Sequence, residues 1–183
     1  MRRSELLALR WSDVDLNLCQ LYVNRTLHHL KTGEIIYRQP KTDKGRRQIA
    51  LSPSTALVLQ EHKDNQEQLM QAQGLTLSDD SLVFSQTDGK PLLPDSITHA
   101  WIRLARRSGL NGIRLHDARH THASLLLKQS VYPKIVQERL GHATISTTLD
   151  LYSHISPGLQ EAAAIGFDKM VLPKRENEAA EIN

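Results

Sequence analysis

The sequence is poor in cysteine, in aromatic residues and in long apolar runs. Its single cysteine, Cys19, excludes an internal disulfide, and this scarcity favours a cytoplasmic location. No apolar stretch approaches the roughly 20 residues that cross a bilayer as a helix. The first residues, MRRSELLALRW, lack the apolar segment and the cleavage site of a signal peptide. The sequence therefore predicts a cytoplasmic domain without a membrane partner.

Basic residues outnumber acidic ones only slightly, but they are unevenly distributed. The formal net charge is +3. Positions 38–47 carry five basic residues against one acid, Asp43, and positions 103–122 carry five arginines and three histidines. Such clusters suit phosphate groups, so a nucleic acid is permitted as a partner but not required.

The order of turns and apolar periodicities predicts a mainly helical domain. Three short runs, 21–26, 34–38 and 46–51, are joined by turn-rich links and favour a three-stranded antiparallel meander. Ser52-Pro53 is typical of a helix start. Apolar residues at helical spacing, separated by glycine or proline, mark the later segments 94–108, 116–129, 133–140, 144–152 and 157–170. We therefore predict an α+β, mainly α domain over residues 1–172, with a small three-stranded antiparallel sheet and a disordered tail at 173–183.

Four polar residues in the C-terminal half have the chemistry of phosphodiester cleavage. Arg119 offers a planar fork of donors that matches a phosphate, and His116 shares its face at the start of a predicted helix. His142 follows Gly141 at a helix junction and can donate or accept near neutral pH. Tyr152 carries a hydroxyl that can act as a nucleophile. Together they predict cleavage through a tyrosine, with no metal required.

Two other interpretations use the same residues. The pattern His116-Asp117-x-x-His120 is similar to the metalloprotease pattern His-Glu-x-x-His. Third ligands would be available among His122, His142 and His154. Arg119 argues against a metal, because it shares the face of His116 and would repel a divalent cation. The second alternative is a DNA-binding or assembly module without catalysis, which the basic clusters support equally well.

Longer motifs carry a more specific signal. The segment LHDARHTHASLLL (115–127) is followed by a Leu-Gly-His turn (140–142) and by Ser-Thr-Thr-x-x-x-Tyr-x-His (146–154). The start, Arg-x-Ser-Glu-Leu (2–6) running into Leu-Arg-Trp-x-Asp (9–13), is similar to an arginine box that usually reads Gly-hydrophobic-Arg-x-Gly-Glu. In this order and spacing the motifs strongly resemble the tyrosine recombinases, the phage-integrase family of site-specific DNA recombinases. The resemblance runs from Arg2 to about Leu159.

This resemblance implies a catalytic set and a reaction. The catalytic residues would be Arg2, Lys41, His116, Arg119, His142 and Tyr152. Tyr152 would attack DNA to give a 3′-phosphotyrosine, and Lys41 would protonate the departing 5′ hydroxyl, without a metal or any other cofactor. His116 would either accept the tyrosine proton or bond a nonbridging oxygen. The family fold is a helical catalytic domain beside a small sheet, and the implied role is integration or excision of a mobile element.

The resemblance also implies partners. Double-stranded DNA would be the substrate, with further contacts expected from Lys44, Arg46, Arg47 and Arg114. Family members usually cleave as tetramers that exchange C-terminal segments between neighbours, which implies a homo-oligomer on DNA for the full-length protein.

Family members normally carry a DNA-clamping domain and supporting helices ahead of the first arginine. The sequence contains no counterpart of either, so we expect an N-terminally truncated catalytic domain in which Arg2 is loosely held. A loose arginine and fewer phosphate contacts would impair recombination by this chain. The alternative is a non-catalytic DNA-binding or assembly module from a degenerate integrase.

Overall fold

The computed structural model describes residues 1–40, 45–155 and 159–171, and for residues 151–155, 159, 160, 162, 163 and 169 it describes the backbone alone. One turn of helix, α1 (Arg3–Leu6), is followed by a 3-10 turn at Trp11–Asp13. The strands are β1 (Val14–Asp15), β2 (Gln20–Val23), β3 (Thr26–His29), β4 (Ile35–Arg38) and β5 (Arg47–Ala50). The longer helices are α2 (Pro53–Gln71), α3 (Pro94–Arg107), α4 (Leu115–Lys128), α5 (Pro133–Leu140), α6 (Ser146–Ile155) and α7 (Leu159–Val171).

The strands build two small antiparallel sheets on one long hairpin. Strand β2 pairs with β1 on one side and with β5 on the other, and Val23 lies opposite Arg47. Strand β3 pairs with β4, and Thr26 lies opposite Arg38. Strands β2 and β3 are thus consecutive parts of the outgoing arm, while β4 and β5 belong to the returning arm. Arg47 is the first residue of β5.

The predicted strand order is wrong, although the small antiparallel sheet itself is confirmed. The run 21–26 is divided between β2 and β3, because Asn24 and Arg25 belong to neither strand, and their side chains bond residues outside the two sheets. The Asn24 amide donates to Asp13 Oδ1 over 2.8 Å, and Arg25 Nε donates to the carbonyl oxygen of Ala8 over 2.7 Å. The run 34–38 then pairs with β3 and does not lie between the other two predicted strands.

The helical segments agree closely with the sequence pattern, and the mainly α, α+β fold is confirmed. Helix α5 has the predicted bounds, since Pro133 opens it and Gly141 caps its C-terminus in the left-handed conformation. Helix α2 begins after Ser52, whose hydroxyl accepts a hydrogen bond from the Thr55 amide. None of the helices in the described ranges is long and apolar enough to cross a membrane.

Separate apolar clusters stabilise the sheet and the helices. Beside the sheet the buried residues are Leu9, Trp11, Leu21, Val23, Ile49 and Val83. The buried Trp11 indole donates to Gln66 Oε1 over 2.8 Å, so its polar atom is satisfied. Between α4 and α5 the buried residues are Ala123, Leu127, Val136 and Leu140.

Polar contacts join the sheet to the helices, and arginines make most of them. Arg139 at the end of α5 donates through Nη1 to the carbonyl oxygen of Ala50 in β5, over 2.7 Å. Its Nε donates to His122 Nε2 on α4 over 3.2 Å. Arg2 and Arg47 cross the same seam, so several arginine side chains gather where the sheet meets α4 and α5.

Candidate functional site

Hydrogen bonds hold both the backbone amide and the guanidinium of Arg2. Its backbone amide donates to Glu5 Oε2 over 2.7 Å and its Nη1 donates to Glu5 Oε1 over 2.8 Å. Its Nη2 donates to the carbonyl oxygen of Gly141 over 2.6 Å, which links α1 to the turn after α5. The expectation of a loosely held Arg2 is therefore wrong for this structure, because Glu5 and Gly141 anchor the guanidinium.

Arg47 is buried beneath Arg2, and only 6% of its side chain is exposed. Its Nη1 and Nη2 donate to the two carboxylate oxygens of Glu5 over 3.1 and 2.8 Å. Its Nε donates to the carbonyl oxygen of Arg139 over 3.0 Å. The expected DNA contact of Arg47 does not fit this burial, because its guanidinium is directed into the protein.

Glu5 is the buried carboxylate that both arginines share. Burial alone would raise the pKa of Glu5, but hydrogen bonds from Arg47 and Arg2 outweigh it and lower the pKa to about 2. Glu5 is therefore ionised at neutral pH. The spacing between Arg2 and Glu5 was visible in the sequence, whereas the pairing with Arg47 joins residues 42 positions apart.

Arg119 brings a third guanidinium to the same place from the buried face of α4. Its Nη2 donates to the carbonyl oxygen of Leu140, and its Nη1 is buried without a hydrogen-bond partner among the described residues. Burial and the positive charge of Arg2 lower the pKa of Arg119 to about 10, so it remains charged at neutral pH. A buried, charged N–H without a partner is unusual in a folded protein and marks a place for an acceptor.

The turn after α5 requires a glycine for two reasons. Gly141 has a φ of +67°, a left-handed conformation in which a side chain is strained. A Cβ at this position would also lie 2.8 Å from Arg47 Nη1 and 2.9 Å from Arg47 Cζ. Glycine thus allows Arg47 to pack directly under the turn whose carbonyl oxygen holds Arg2.

The next residue, His142, is buried and fixed on both its backbone and its ring. The backbone amide of His142 donates to the Gln137 carbonyl over 3.1 Å, and the Gln137 side-chain amide donates to the His142 carbonyl over 3.2 Å. His142 Nδ1 lies 2.9 Å from Thr148 Oγ1 on α6. Burial, followed by the charges of Arg119 and Arg2, lowers the pKa of His142 to about 4, so the ring is neutral at pH 7.

His116 lies exposed at the start of α4 and shares a cleft with Arg2 and Arg119. The cleft has a volume of about 700 Å³, and much of its remaining lining is apolar. The His116 and His120 rings meet edge to face with centroids 4.6 Å apart. Partial desolvation of the ring, followed by the charges of His120 and Arg119, lowers the pKa of His116 below its ordinary value. His116 is therefore mostly neutral at pH 7 and able to accept a proton.

His142 does not line that cleft but a smaller cavity beside it. This cavity has a volume of about 220 Å³ and is also lined by Arg46, Lys134 and Gln137. Arg46 is exposed, and its guanidinium donates to the Gln39 side chain. Arg114 is also exposed and pairs with Asp117 at 3.0 Å. These two cations are thus free to approach a large partner, in contrast to the buried Arg47.

Several predicted residues lie wholly or partly outside the described part of the chain. Lys41 and Lys44 lie outside the described residues, as does the tail at 173–183. The backbone of Tyr152 belongs to α6, but its side chain is outside the description. The described residues contain no group of three or more His, Cys, Asp or Glu side chains placed to hold a metal ion.

Sequence reasoning gave no role to Thr148, which is fully buried beside His142. Thr148 appears in the sequence only as part of a Ser-Thr-Thr run. Nothing in its spacing of six residues from His142 indicates a contact, because the two lie on different elements.

The charges at the seam favour an anion. Three guanidinium groups, from Arg2, Arg47 and Arg119, surround one carboxylate, that of Glu5. The excess positive charge and the unpartnered N–H of Arg119 lie beside the neutral His142 ring. Planar guanidinium forks of this kind match the oxygens of a phosphate group.

Comparison with known proteins places the chain in one family. The model of the phage integrase family matches residues 1–158. The chain is 32% identical to the ICEBs1 integrase of Bacillus subtilis (strain 168), over 93% of this chain and 46% of that protein. It is 29% identical to a tyrosine recombinase XerC-like protein of Caldanaerobacter subterraneus subsp. tengcongensis, over 86% of this chain and 43% of that protein. The chain spans about half the length of the curated relatives it matches.

Solved structures share the fold. The integrase of transposon Tn1549 in complex with transposon right end DNA aligns with a TM-score of 0.75 and 22% identity, over 94% of this chain and 55% of that chain. XerA recombinase aligns with a TM-score of 0.63 and 22% identity, over 94% of this chain and 54% of that chain. The cluster of Arg2, Arg119 and His142, here called the anion pocket, lies within the part of the chain that the family model matches. The chain belongs to the phage integrase family and has the fold of a tyrosine recombinase catalytic domain.

Proposed function

We propose that this chain is the catalytic domain of a site-specific DNA recombinase that cuts and rejoins DNA through Tyr152. The observation that carries the proposal is the cluster of Arg2, Arg47 and Arg119, in which one buried N–H of Arg119 has no hydrogen-bond partner among the described residues. A DNA phosphate supplies the acceptor that this N–H lacks. Family membership and the relatives named integrase or tyrosine recombinase support the same reaction. The neighbouring structure of an integrase with transposon DNA supports DNA as the substrate.

The proposed first step is an in-line displacement at phosphorus. The Tyr152 oxygen forms a bond to phosphorus while the bond to the 5′ oxygen breaks, giving a 3′-phosphotyrosine and a free 5′ hydroxyl. The tyrosine proton passes to a base, for which His116 is the candidate, and Lys41 supplies the proton that the 5′ oxygen takes up. In the second step a 5′ hydroxyl of another strand attacks the phosphotyrosine and the protons return. No ATP is required, since the phosphotyrosine conserves the energy of the broken bond.

The pocket contributes electrostatic stabilisation in this proposal. Negative charge grows on the nonbridging oxygens during attack, and Arg2 and Arg119 would each donate to it. His142 would add a neutral donor to the same phosphate. Because Glu5 and Arg47 fix the position of Arg2 before DNA arrives, little reorganisation is needed during the reaction.

The direct test uses nicked DNA duplexes of randomised sequence, because the target sequence is unknown. EDTA is present because the proposed reaction needs no metal ion. A nick close to the cleavage position lets the cut strand dissociate and traps the covalent complex. We expect adducts that survive SDS with the wild-type chain and none with Tyr152→Phe, which matches tyrosine in shape but lacks the hydroxyl. DNA binding without any Tyr152-dependent adduct would instead support the non-catalytic DNA-binding module.

The proposed role of Lys41 can be tested separately. Lys41→Ala should slow cleavage of ordinary DNA, because the 5′ oxygen leaves as a poor leaving group when it is not protonated. A 5′-bridging sulfur needs little protonation, so the same variant should cleave that substrate at nearly the wild-type rate. Failure of the sulfur substrate to rescue Lys41→Ala would assign Lys41 to binding.

We also propose that this chain recombines more weakly than proteins of its relatives' length. The matched relatives are about twice as long, and additional phosphate contacts strengthen DNA binding steeply. The anchored Arg2 suggests that cleavage chemistry is less affected than binding. Fusing the part of the Bacillus subtilis relative that this chain does not match should improve affinity more than the cleavage rate of the bound complex. An equal gain in both quantities would contradict this division.

A further inference from the structure

The hydroxyl of Thr148 links the turn that carries His142 to helix α6. Thr148 is fully buried, and its Oγ1 lies 2.9 Å from His142 Nδ1. In the described part of the chain this is the one hydrogen bond that the Thr148 hydroxyl makes. The backbone of Thr148 is fixed as well, since its amide donates to the Ile145 carbonyl over 2.9 Å.

The direction of this hydrogen bond follows from what each group can donate. A neutral imidazole has one N–H donor and one acceptor nitrogen, and burial keeps His142 neutral at pH 7. A buried hydroxyl must direct its hydrogen to an acceptor or lose a hydrogen bond's worth of stability. Among the described residues, the acceptor within reach of the Thr148 hydroxyl is His142 Nδ1. The ring proton must then reside on Nε2.

The tautomer decides what His142 offers to a ligand. With the proton on Nε2, the outer edge of the ring is a hydrogen-bond donor, as a phosphate oxygen requires. With the proton on Nδ1, the ring would present a lone pair, which repels an anion. The hydroxyl on Nδ1 therefore selects the form of His142 that suits the cationic surroundings of Arg2 and Arg119.

The position of Thr148 on α6 adds a second consequence. Tyr152 follows Thr148 by four residues, so the two positions lie on the same side of the helix, one turn apart. A bond from Thr148 to His142 thus fixes α6 against the turn that also carries Gly141, whose carbonyl oxygen holds Arg2.

We propose that Thr148 is a positioning residue, which holds His142 in the Nε2–H tautomer and docks the helix of Tyr152 onto the anion pocket. The proposal deepens the function proposed above and rests on it. Thr148 has no role at the reacting atoms themselves and acts through His142 and α6.

The first test reads the tautomer without DNA and without activity. Long-range ¹H–¹⁵N NMR of the chain with ¹⁵N-labelled histidine at pH 7 should place the His142 proton on Nε2. Thr148→Ser keeps the hydroxyl and should retain this tautomer, whereas Thr148→Val, with the same shape but no hydroxyl, should show a mixture. Thr147→Val is the control, because Thr147 is exposed and its hydroxyl lies 3.2 Å from Thr144 Oγ1, away from the His142 hydrogen bond. A proton on Nδ1 in the wild-type chain, or an unchanged tautomer in Thr148→Val, would overturn the proposal.

The second test measures cleavage with the randomised nicked duplexes in a single turnover. Thr148→Val should slow formation of the Tyr152 adduct on the order of a hundredfold, the loss expected for a misplacement of about 1 Å, and Thr148→Ser should restore most of the rate. DNA affinity should change little. If the wild-type chain forms a Tyr152 adduct and Thr148→Val forms it equally fast, the role of Thr148 is refuted while the proposed function stands. If the wild-type chain forms no Tyr152 adduct, the proposed function fails, and the tautomer measurement still decides the structural part.

Discussion

The buried ion pair between Arg47 and Glu5 offers the sharpest test of how the pocket is built. Replacing Arg47 with methionine keeps an unbranched side chain of similar length and removes the charge. Glu5 would lose two of its hydrogen bonds and keep those from Arg2. The carbonyl oxygen of Arg139 would also lose the donor that joins β5 to α5. The variant therefore leaves a carboxylate buried with half of its partners.

The size of the effect follows from the burial of both groups. The exposed fraction is 6% for the Arg47 side chain and 2% for that of Glu5, so solvent screens the pair weakly. Removing one partner of a buried ion pair costs about 3–5 kcal/mol, because the other charge stays desolvated. Since Arg2 still compensates part of the Glu5 charge, we expect a loss of about 3 kcal/mol. Typical domains have a free energy of unfolding of only about 5–15 kcal/mol.

Urea denaturation at pH 7, followed by circular dichroism, measures this loss. The double variant Arg47→Met with Glu5→Gln should be less destabilised than the sum of the single variants, because neither buried charge remains. Lys90→Met is the matched control, since the Lys90–Asp88 pair is as short, at 2.7 Å, but exposed, and its removal should leave the transition unchanged. If Arg47→Met unfolds like the wild-type chain, or the two effects simply add, the ion pair does not stabilise the pocket.

Three further predictions address the turn, the titrating groups and the exposed cations. Gly141→Ala should destabilise the chain more than Gly109→Ala in urea denaturation. Both glycines have a left-handed φ, but only a Cβ at Gly141 would meet Arg47. Equal losses, each near the ~1–2 kcal/mol of backbone strain alone, would show that Arg47 moves freely. The free energy of unfolding should fall as the pH drops from about 6.5 to 4, because His142 takes up a proton in this range only in the unfolded chain. In the folded chain, burial and the charges of Arg119, Arg2 and Arg47 lower the pKa of His142 to about 4. In His142→Gln, the free energy of unfolding lost between pH 6.5 and 4 should be smaller by roughly 1–3 kcal/mol. The contribution of Glu5 is lost only at lower pH, as the pH falls from about 4.5 toward 2. An unchanged pH dependence in His142→Gln would contradict the burial of the ring. Arg46→Gln and Arg114→Gln should each lower the salt dependence of binding to a non-specific DNA duplex by about one counterion in fluorescence anisotropy, and no change for either would remove that residue from the DNA surface.

The helical part of the fold was largely predictable from the sequence because its signals are local. Proline and glycine mark the ends of α5 directly, and apolar spacing identifies α3 and α4 within one or two residues. The sheet was less predictable. Strand β1 has two residues and no periodic pattern, and the division of 21–26 depends on where Asn24 and Arg25 find their partners. Those partners lie at least 11 residues away, so no local pattern reveals them.

The candidate site, like the fold, was predictable from the sequence only in part. The sequence identified Arg2, Arg119 and His142 through motifs, and the structure brings these three to one seam. It did not distinguish Arg46 from Arg47, which are neighbours in a basic run. One is exposed, and the other is buried against a carboxylate from α1. Burial is a property of the tertiary structure, so the charge pattern alone assigned both residues to the DNA surface.

The residue that forms the covalent link to DNA, and the strand end that it holds, would show whether Tyr152 is the nucleophile. The chain would be reacted with randomised nicked duplexes that carry a label at the 5′ end of the cleavable strand. The covalent complexes would be isolated in SDS and digested, and the modified peptide would be identified by mass spectrometry. We expect the 5′ label to stay with the protein and the modified peptide to carry a nucleotide 3′-phosphate on Tyr152. A link to another residue, or retention of the 3′ end of the strand in place of the 5′ label, would contradict this expectation.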